Sequence, residues 1–335
     1  MKKILITGAS GFIGSAIVNK ALDFGMEVWA AVRHSSSKQY LQDKRINFIE
    51  LDLSSAQQMT QALSKLRFDY VVHAAGLTKA LRQADFFSVN TEGTKHLVEA
   101  LKNSNQELQR FVYMSSLSVF GAIKEQMPYQ PIKETDTPRP NTAYGKSKWE
   151  AEKFLDGLEE AGYDLPYVIL RPTGVYGPRE HDYYMMAKSI KEHVDFAAGW
   201  TRQDITFVYV DDVVQAVFLA LDHGKKGRKY FLSDGNVYQS STFSNLIHQE
   251  LGCPWWIRVK APIALLHVIC KVCDAWGHLT GRLTALNNDK YNILRQRNWR
   301  CDIRPAVDEL GFKPQWDLAR GVRETIEWYK ANGWL

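Results

Sequence analysis

Cysteine is scarce in this chain: Cys253, Cys270, Cys273 and Cys301 are the four among 335 residues. So few thiols cannot frame a disulfide scaffold, and they read as reduced cysteines of a cytoplasmic protein. Cys270 and Cys273 form a lone C-x-x-C in an apolar, helix-like run with no second pair. That fits buried small hydrophobes rather than a metal or redox centre. Long apolar runs are missing as well. Met1-Lys2-Lys3 has the charge of a leader, but Ile4-Leu5-Ile6 stops at Thr7-Gly8, far short of a secretory core. No stretch reaches the roughly 18 apolar residues of a membrane span. Neither sign of charge dominates: 42 Lys and Arg against 37 Asp and Glu leave +5, all of it carried by residues 255–335. That excess is too small and too local for a nucleic-acid binder. It suits a phosphate or a membrane surface, or an ordinary solvated face.

What remains is globular. Hydrophobic residues make up 45% and charged residues 24%, and the length allows about two domains of roughly 150 residues each. Short apolar runs at Ile4–Thr7, Val28–Val32, Phe48–Leu51, Tyr70–Ala74, Phe111–Ser115 and Val168–Arg171 alternate with helix-period stretches. Continuous apolar strands separated by helices imply a parallel sheet covered on both faces. The rhythm fails after Pro178, where most of the tryptophans fall. Residues 1–175 therefore read as the sheet domain and 176–335 as a smaller, mostly helical lobe interleaved with it. A strand-helix unit near 205–222 is expected to return to the sheet.

Gly8-Ala9-Ser10-Gly11-Phe12-Ile13-Gly14 follows the first strand and opens a helix. In that context the glycines admit a dinucleotide pyrophosphate to the helix N-terminus. Dinucleotide sites that take NAD(H) place a carboxylate at the end of the second strand for the ribose. Here that strand runs into Arg33-His34-Ser35-Ser36-Ser37-Lys38. Arg33, Ser35 and Lys38 suit a 2′-phosphate, so NADP(H) is favoured, with NAD(H) as the alternative. Asp52 is a candidate for the adenine amino group or a helix N-terminal acid. Further on, Tyr144 and Lys148 stand at i and i+4 on one helical face. An adjacent ammonium lowers a phenol's pKa and makes it a usable proton carrier. Ser116 supplies a hydroxyl just past the strand Phe111–Ser115.

These segments occur in a recognisable order. Thr7-Gly8-x-x-Gly11-Phe12-Ile13-Gly14, Asp52-Leu53, His73-Ala74-Ala75-Gly76, Asn90-x-x-Gly93-Thr94, Ser115-Ser116, Tyr144-x-x-x-Lys148 and Leu170-Arg171-Pro172 through Gly177-Pro178 span most of the chain. The sequence resembles the extended short-chain dehydrogenase/reductases, also called NAD(P)-dependent epimerase/dehydratases. The resemblance implies a Rossmann-type doubly wound sheet and a Ser116-Tyr144-Lys148 triad. It also implies cofactor contacts from Ser10, Leu53, Ala74, Ala75, Gly76, Pro172 and Thr173. It further implies a homodimer through helices 89–102 and 143–158; Trp149 on the second would then be covered by the partner, the alternative being cover by the substrate lobe of its own chain.

Departures from the pattern narrow the branch. Leu117-Ser118 replace the acidic residues that follow the hydroxyl in the nucleotide-sugar dehydratases. Ile205 stands where the epimerases carry an arginine, with Arg202 three positions away. Residues 263–278 place His267, Lys271, Asp274 and His278 on one stripe and leave a wide apolar face. Eight Lys and Arg against three acids fill 260–304. The expected activity is therefore reduction of a ketone in a bulky hydrophobic molecule, nearer the hydroxysteroid dehydrogenase and dihydroflavonol reductase-like branch. Region 260–304 would contact that substrate or a lipid surface. The alternatives are a nucleotide-sugar 4-epimerase and a non-catalytic dinucleotide sensor.

Overall fold

The computed structural model describes residues 1–252, 255–282, 284 and 286–335; Cys253 and the side chain of His278 lie outside the description. The strands expected from the apolar runs are β1 (Lys3–Thr7), β2 (Glu27–Val32), β3 (Asn47–Glu50), β4 (Tyr70–His73), β5 (Arg110–Met114) and β6 (Tyr167–Pro172). With β7 (Lys229–Leu232) they form one sheet in the order β7-β6-β5-β4-β1-β2-β3, and every pairing in it is parallel. Ile4, Leu5 and Ile6 have no exposed surface, because helices cover both faces. One face packs against α1 (Phe12–Asp23), the other against α2 (Ala56–Leu63), α3 (Gly93–Asn103) and α4 (Ala143–Asp156). A further helix, α5 (Val210–His223), lies beside α1 on the first face.

The order reverses between β1 and β4, which opens the crevice at the carboxyl ends where such sheets bind ligands. The returning unit differs from its expectation. Phe207–Tyr209 pairs with Gly174–Tyr176 in a separate ribbon, and only α5 reaches the sheet. The seventh strand is Lys229–Leu232, whose four residues are too short to show a period of their own.

The lobe is built on an aromatic cluster of Tyr176, Phe207, Tyr209, Phe243 and Tyr329. Asp212 accepts from the amides of Gln315 and Trp316 and so ties the C-terminal segment to α5. Two helices close the lobe, α6 (Ile263–Thr280) and α7 (Asn288–Arg295), with a parallel ribbon of Val194–Ala198 and Ile257–Ala261 beside them. Trp149, on which the pairing expectation rested, packs within its own chain against Leu117, Phe120 and Ile132. Lys153 covers its ring at 4.4 Å. Symmetric pairing is not needed to shield it.

Candidate active site

The residues singled out in the sequence come from segments far apart and meet at one edge. Gly8–Gly14 lie in the β1–α1 turn, and Arg33, Ser35 and Lys38 follow β2. Asp52 and Leu53 follow β3, Ala74–Gly76 follow β4, and Ser116 follows β5. Pro172 ends β6 and Thr173 follows it. All therefore stand at the carboxyl ends of the strands.

The glycine turn owes two of its glycines to protein packing. At Gly8, with φ +68°, a Cβ would stand 2.6 Å from the Ala75 amide nitrogen, and at Gly14 it would stand 2.0 Å from the Gly8 carbonyl oxygen. Gly11 is different: only the Gly8 oxygen, at 3.2 Å, lies near its missing Cβ. No side chain caps α1, so its first N–H groups are left to a ligand. Thr173 adds a buried hydroxyl without a protein partner at the end of β6. An open cradle, an uncapped helix and an orphaned hydroxyl together fit a dinucleotide. At its adenine end Arg33 and Ser35 are exposed, while Lys38 Nζ lies 4.3 Å from the Phe48 ring centre. One Asp52 oxygen accepts from the Ser54 amide at 2.9 Å, which gives that residue a local structural role.

Four residues lock the β4 end. His73 bridges Thr7 at 2.6 Å and Thr94 at 2.9 Å, and burial lowers its pKa to about 3, so the ring is neutral. Asn90 accepts from the Leu77 amide at 2.7 Å and donates to the Leu77 carbonyl and to Ser147 Oγ. It sits in a π-helical turn, Phe87–Glu92, that leads into α3. That widened turn aims its side chain at the loop after β4.

Thr142 caps α4 by accepting from the Gly145 amide at 2.9 Å. The lobe adds a second clamp: Asp289 of α7 accepts from the Ala143 amide, and Asn292 donates to the Asn141 carbonyl. A carboxylate on those N–H groups also complements the helix dipole. The Ser116 hydroxyl opposes the rise in the Tyr144 phenol pKa that desolvation causes. Lys148 sits one turn deeper, 3% exposed. It donates to the Met114 carbonyl at 2.8 Å and lies over the Tyr113 ring. Burial brings its pKa down to about 8, while the Glu152 charge favours the ammonium. The expected depression of the Tyr144 pKa by Lys148 is therefore not met in this arrangement. Desolvation outweighs the Ser116 hydroxyl, and one of the three Lys148 donors goes to the Met114 carbonyl.

A layer beneath the triad escaped the sequence reading. Glu152 takes Arg171 Nε at 3.0 Å and a second guanidinium nitrogen, and it also accepts from the Ser115 hydroxyl. Arg171 lies over the rings of Phe120 and Phe231, which touch edge to face. The legible signal was Glu152 at i+4 from Lys148, which puts a carboxylate on the buried face of α4.

Ser116, Leu117, Ser118 and Thr173 open into a cleft of about 320 Å³. Phe196, Phe207, Phe243, Ile293, Leu294 and Trp299 supply much of its apolar wall. Among the described lining residues the one carboxylate, Asp195, is ion-paired to the one guanidinium, Arg258, at 2.6 Å. Arg202 is paired with Asp204 instead. Among the described residues none of α6 lines the cleft, so the helix behind the hydrophobic-substrate expectation does not form its described wall.

Fold and site define a doubly wound, dinucleotide-dependent class in which a tyrosine and a lysine share a helix beside a strand-end serine. The chain belongs to the NAD dependent epimerase/dehydratase family, whose model matches residues 4–233, and it is an enzyme of that family. It is 27% identical to the UDP-glucose 4-epimerase of Vibrio cholerae, over 97% of this chain and 95% of that protein. It is 25% identical to a probable dTDP-glucose 4,6-dehydratase of Sinorhizobium fredii, over 99% and 94% respectively. The solved dTDP-glucose 4,6-dehydratase of Bacillus anthracis, in complex with NAD, superposes with a TM-score of 0.78 at 19% identity, covering 99% of this chain and 97% of that one. These relatives give the hydrophobic-ketone expectation no support. The epimerase alternative fits them better.

Proposed function

We propose that this enzyme inverts a secondary alcohol carbon of a nucleotide sugar in a redox-neutral epimerisation. The bound nicotinamide supplies a hydride acceptor that later returns the hydride. Tyr144 takes the hydroxyl proton and gives it back, and Ser116 donates a hydrogen bond to the same oxygen while its charge changes. Lys148 orients the cofactor ribose and supplies the positive field. Arg258, the guanidinium of the cleft, is assigned to the substrate diphosphate. The loop Arg33–Lys38 has two cations and no carboxylate, which supports NADP(H) as the dinucleotide, whereas the Bacillus anthracis relative is described with NAD.

The observation that carries epimerisation over dehydration is the cleft itself. Expelling water needs a proton donor for the leaving hydroxyl. Leu117 and Ser118 offer no carboxyl group, and Asp195 is held by Arg258. The test is nuclear magnetic resonance of UDP-glucose or dTDP-glucose incubated with the enzyme and each dinucleotide. A new hexose epimer with no net change in dinucleotide absorbance supports the reading. A 4-keto-6-deoxy product, or steady consumption of NADPH, overturns it.

A further inference from the structure

The helix α6 buries Cys270 and Gly277 but leaves an unusually apolar face outside. Two of its polar residues turn to α7: His267 stacks on Tyr291 at 4.4 Å, and Asp274 accepts from the side-chain nitrogen of Asn288. Five of its apolar residues, Leu265, Val268, Val272, Trp276 and Leu279, are exposed, Leu279 to 79%. Water does not stabilise such a face, and a contiguous apolar surface of this kind marks a contact. The patch extends past the helix. Gly199, at the end of the neighbouring ribbon, donates to the Ala261 carbonyl at 2.8 Å, and that ribbon pairs Phe196 with Val259, both exposed. Phe196 also lines the catalytic cleft, so patch and cleft mouth share one side of the molecule.

We propose that this face seats the enzyme on a bilayer surface containing anionic lipid, with the cleft mouth facing the headgroups. The charges select this occupant. Within residues 255–282 Arg258 is neutralised by Asp195 in the cleft, and Lys260, Lys271 and Arg282 remain against Asp274 alone. Lys260, Lys271 and Arg282 are exposed, while Asp274 is turned onto α7. A second copy meeting this face about a two-fold axis would bring those cations together without a carboxylate to match them. Anionic headgroups match them, and outward aliphatic and tryptophan side chains suit the acyl boundary. No described helix is long and apolar enough to cross a membrane, so α6 lies along the surface over about 27 Å. The inference does not depend on which reaction the site performs.

The test is co-sedimentation of the full chain with vesicles of phosphatidylcholine alone or mixed equally with phosphatidylglycerol. The protein is expected to pellet with the anionic vesicles and to be released by salt. V272E/W276E should lower the partition roughly tenfold or more, with dinucleotide binding and thermal midpoint retained. K260Q/K271Q should weaken anionic binding while leaving the apolar face whole. The proposal is overturned if the native protein stays in the supernatant with both vesicles. It is equally overturned if V272E/W276E turns a sedimenting dimer into a monomer without any vesicle binding, which would give the face to a second copy.

Discussion

Helices α4 and α6 both turn polar side chains toward the protein, and they do it to different ends. On α4 the inward residues are Lys148 and Glu152, met from the sheet by Met114, Ser115 and Arg171. Its outer face carries Lys146 and the Glu150–Lys153 pair, at home in water. On α6 the inward residues His267 and Asp274 are satisfied by α7, but the outer face is apolar. Buried polarity therefore does not reveal which way a helix serves the protein. What separates them is the opposite face: a polar one completes an internal site, and an apolar one implies an external surface.

The first way to break this contrast is at the end of α4. Y144F removes a transferable proton and leaves the ring packed against Phe86. Turnover should fall roughly a hundredfold to ten-thousandfold, with dinucleotide affinity unchanged in a fluorescence titration. Turnover close to native would make α4 as structural as α6. One turn beyond Lys148, E152A strands the Arg171 charge in the core and should cost about 3–5 kcal/mol in urea unfolding. The double variant E152L/R171M should recover most of that stability, because an apolar pair of similar volume replaces the ions. If the layer serves the triad as well as the fold, the double variant will be stable and yet show a shifted pH–rate profile.

The contrast also marks what a sequence discloses. Six strands and the glycine turn were legible because their signals are local: apolar runs, Gly8 and Gly14 in tight approach, and Tyr144 one turn from Lys148. The clamp of Asp289 on the first amides of α4 was not, because it joins residues 146 positions apart. The pattern on α6 was legible, but periodicity does not say where a stripe lies: His267 and Asp274 turn to α7, while Lys271 of the same stripe is exposed. Which of them meet the protein was decided by Tyr291 and Asn288, partners no pattern within α6 names.

A smaller effect follows from the Lys148 titration. Its folded pKa, about 8, lies below its ordinary value of 10.5. Between these two values the unfolded chain holds the extra proton, so the stability contributed by this group rises with pH across that window. Below about pH 8 the cost of burying the ammonium is borne in full. K148M has no such proton. Native protein should therefore gain stability relative to K148M between pH 8 and 10 in parallel urea titrations, and a constant difference would show that burial does not perturb this lysine.

The smallest effect is expected where the site meets water. Arg33 is exposed at the end of β2, so solvent screens whatever charge it meets. A 2′-phosphate there would still gain charge-assisted hydrogen bonds, and an aspartate in its place would both lose them and repel the anion. R33D should weaken NADPH roughly tenfold or more while leaving NADH little changed or improved, because a carboxylate at this position suits the ribose hydroxyls. Isothermal titration with both reduced dinucleotides measures the ratio directly. If R33D weakens NADH and NADPH alike, the loop acts through the backbone turn that Arg33 makes with Ser36, at 2.9 Å, and not through its charge. If NADPH binding is unaffected, the missing carboxylate after β2 says nothing about the dinucleotide, and the preference for NADP(H) falls.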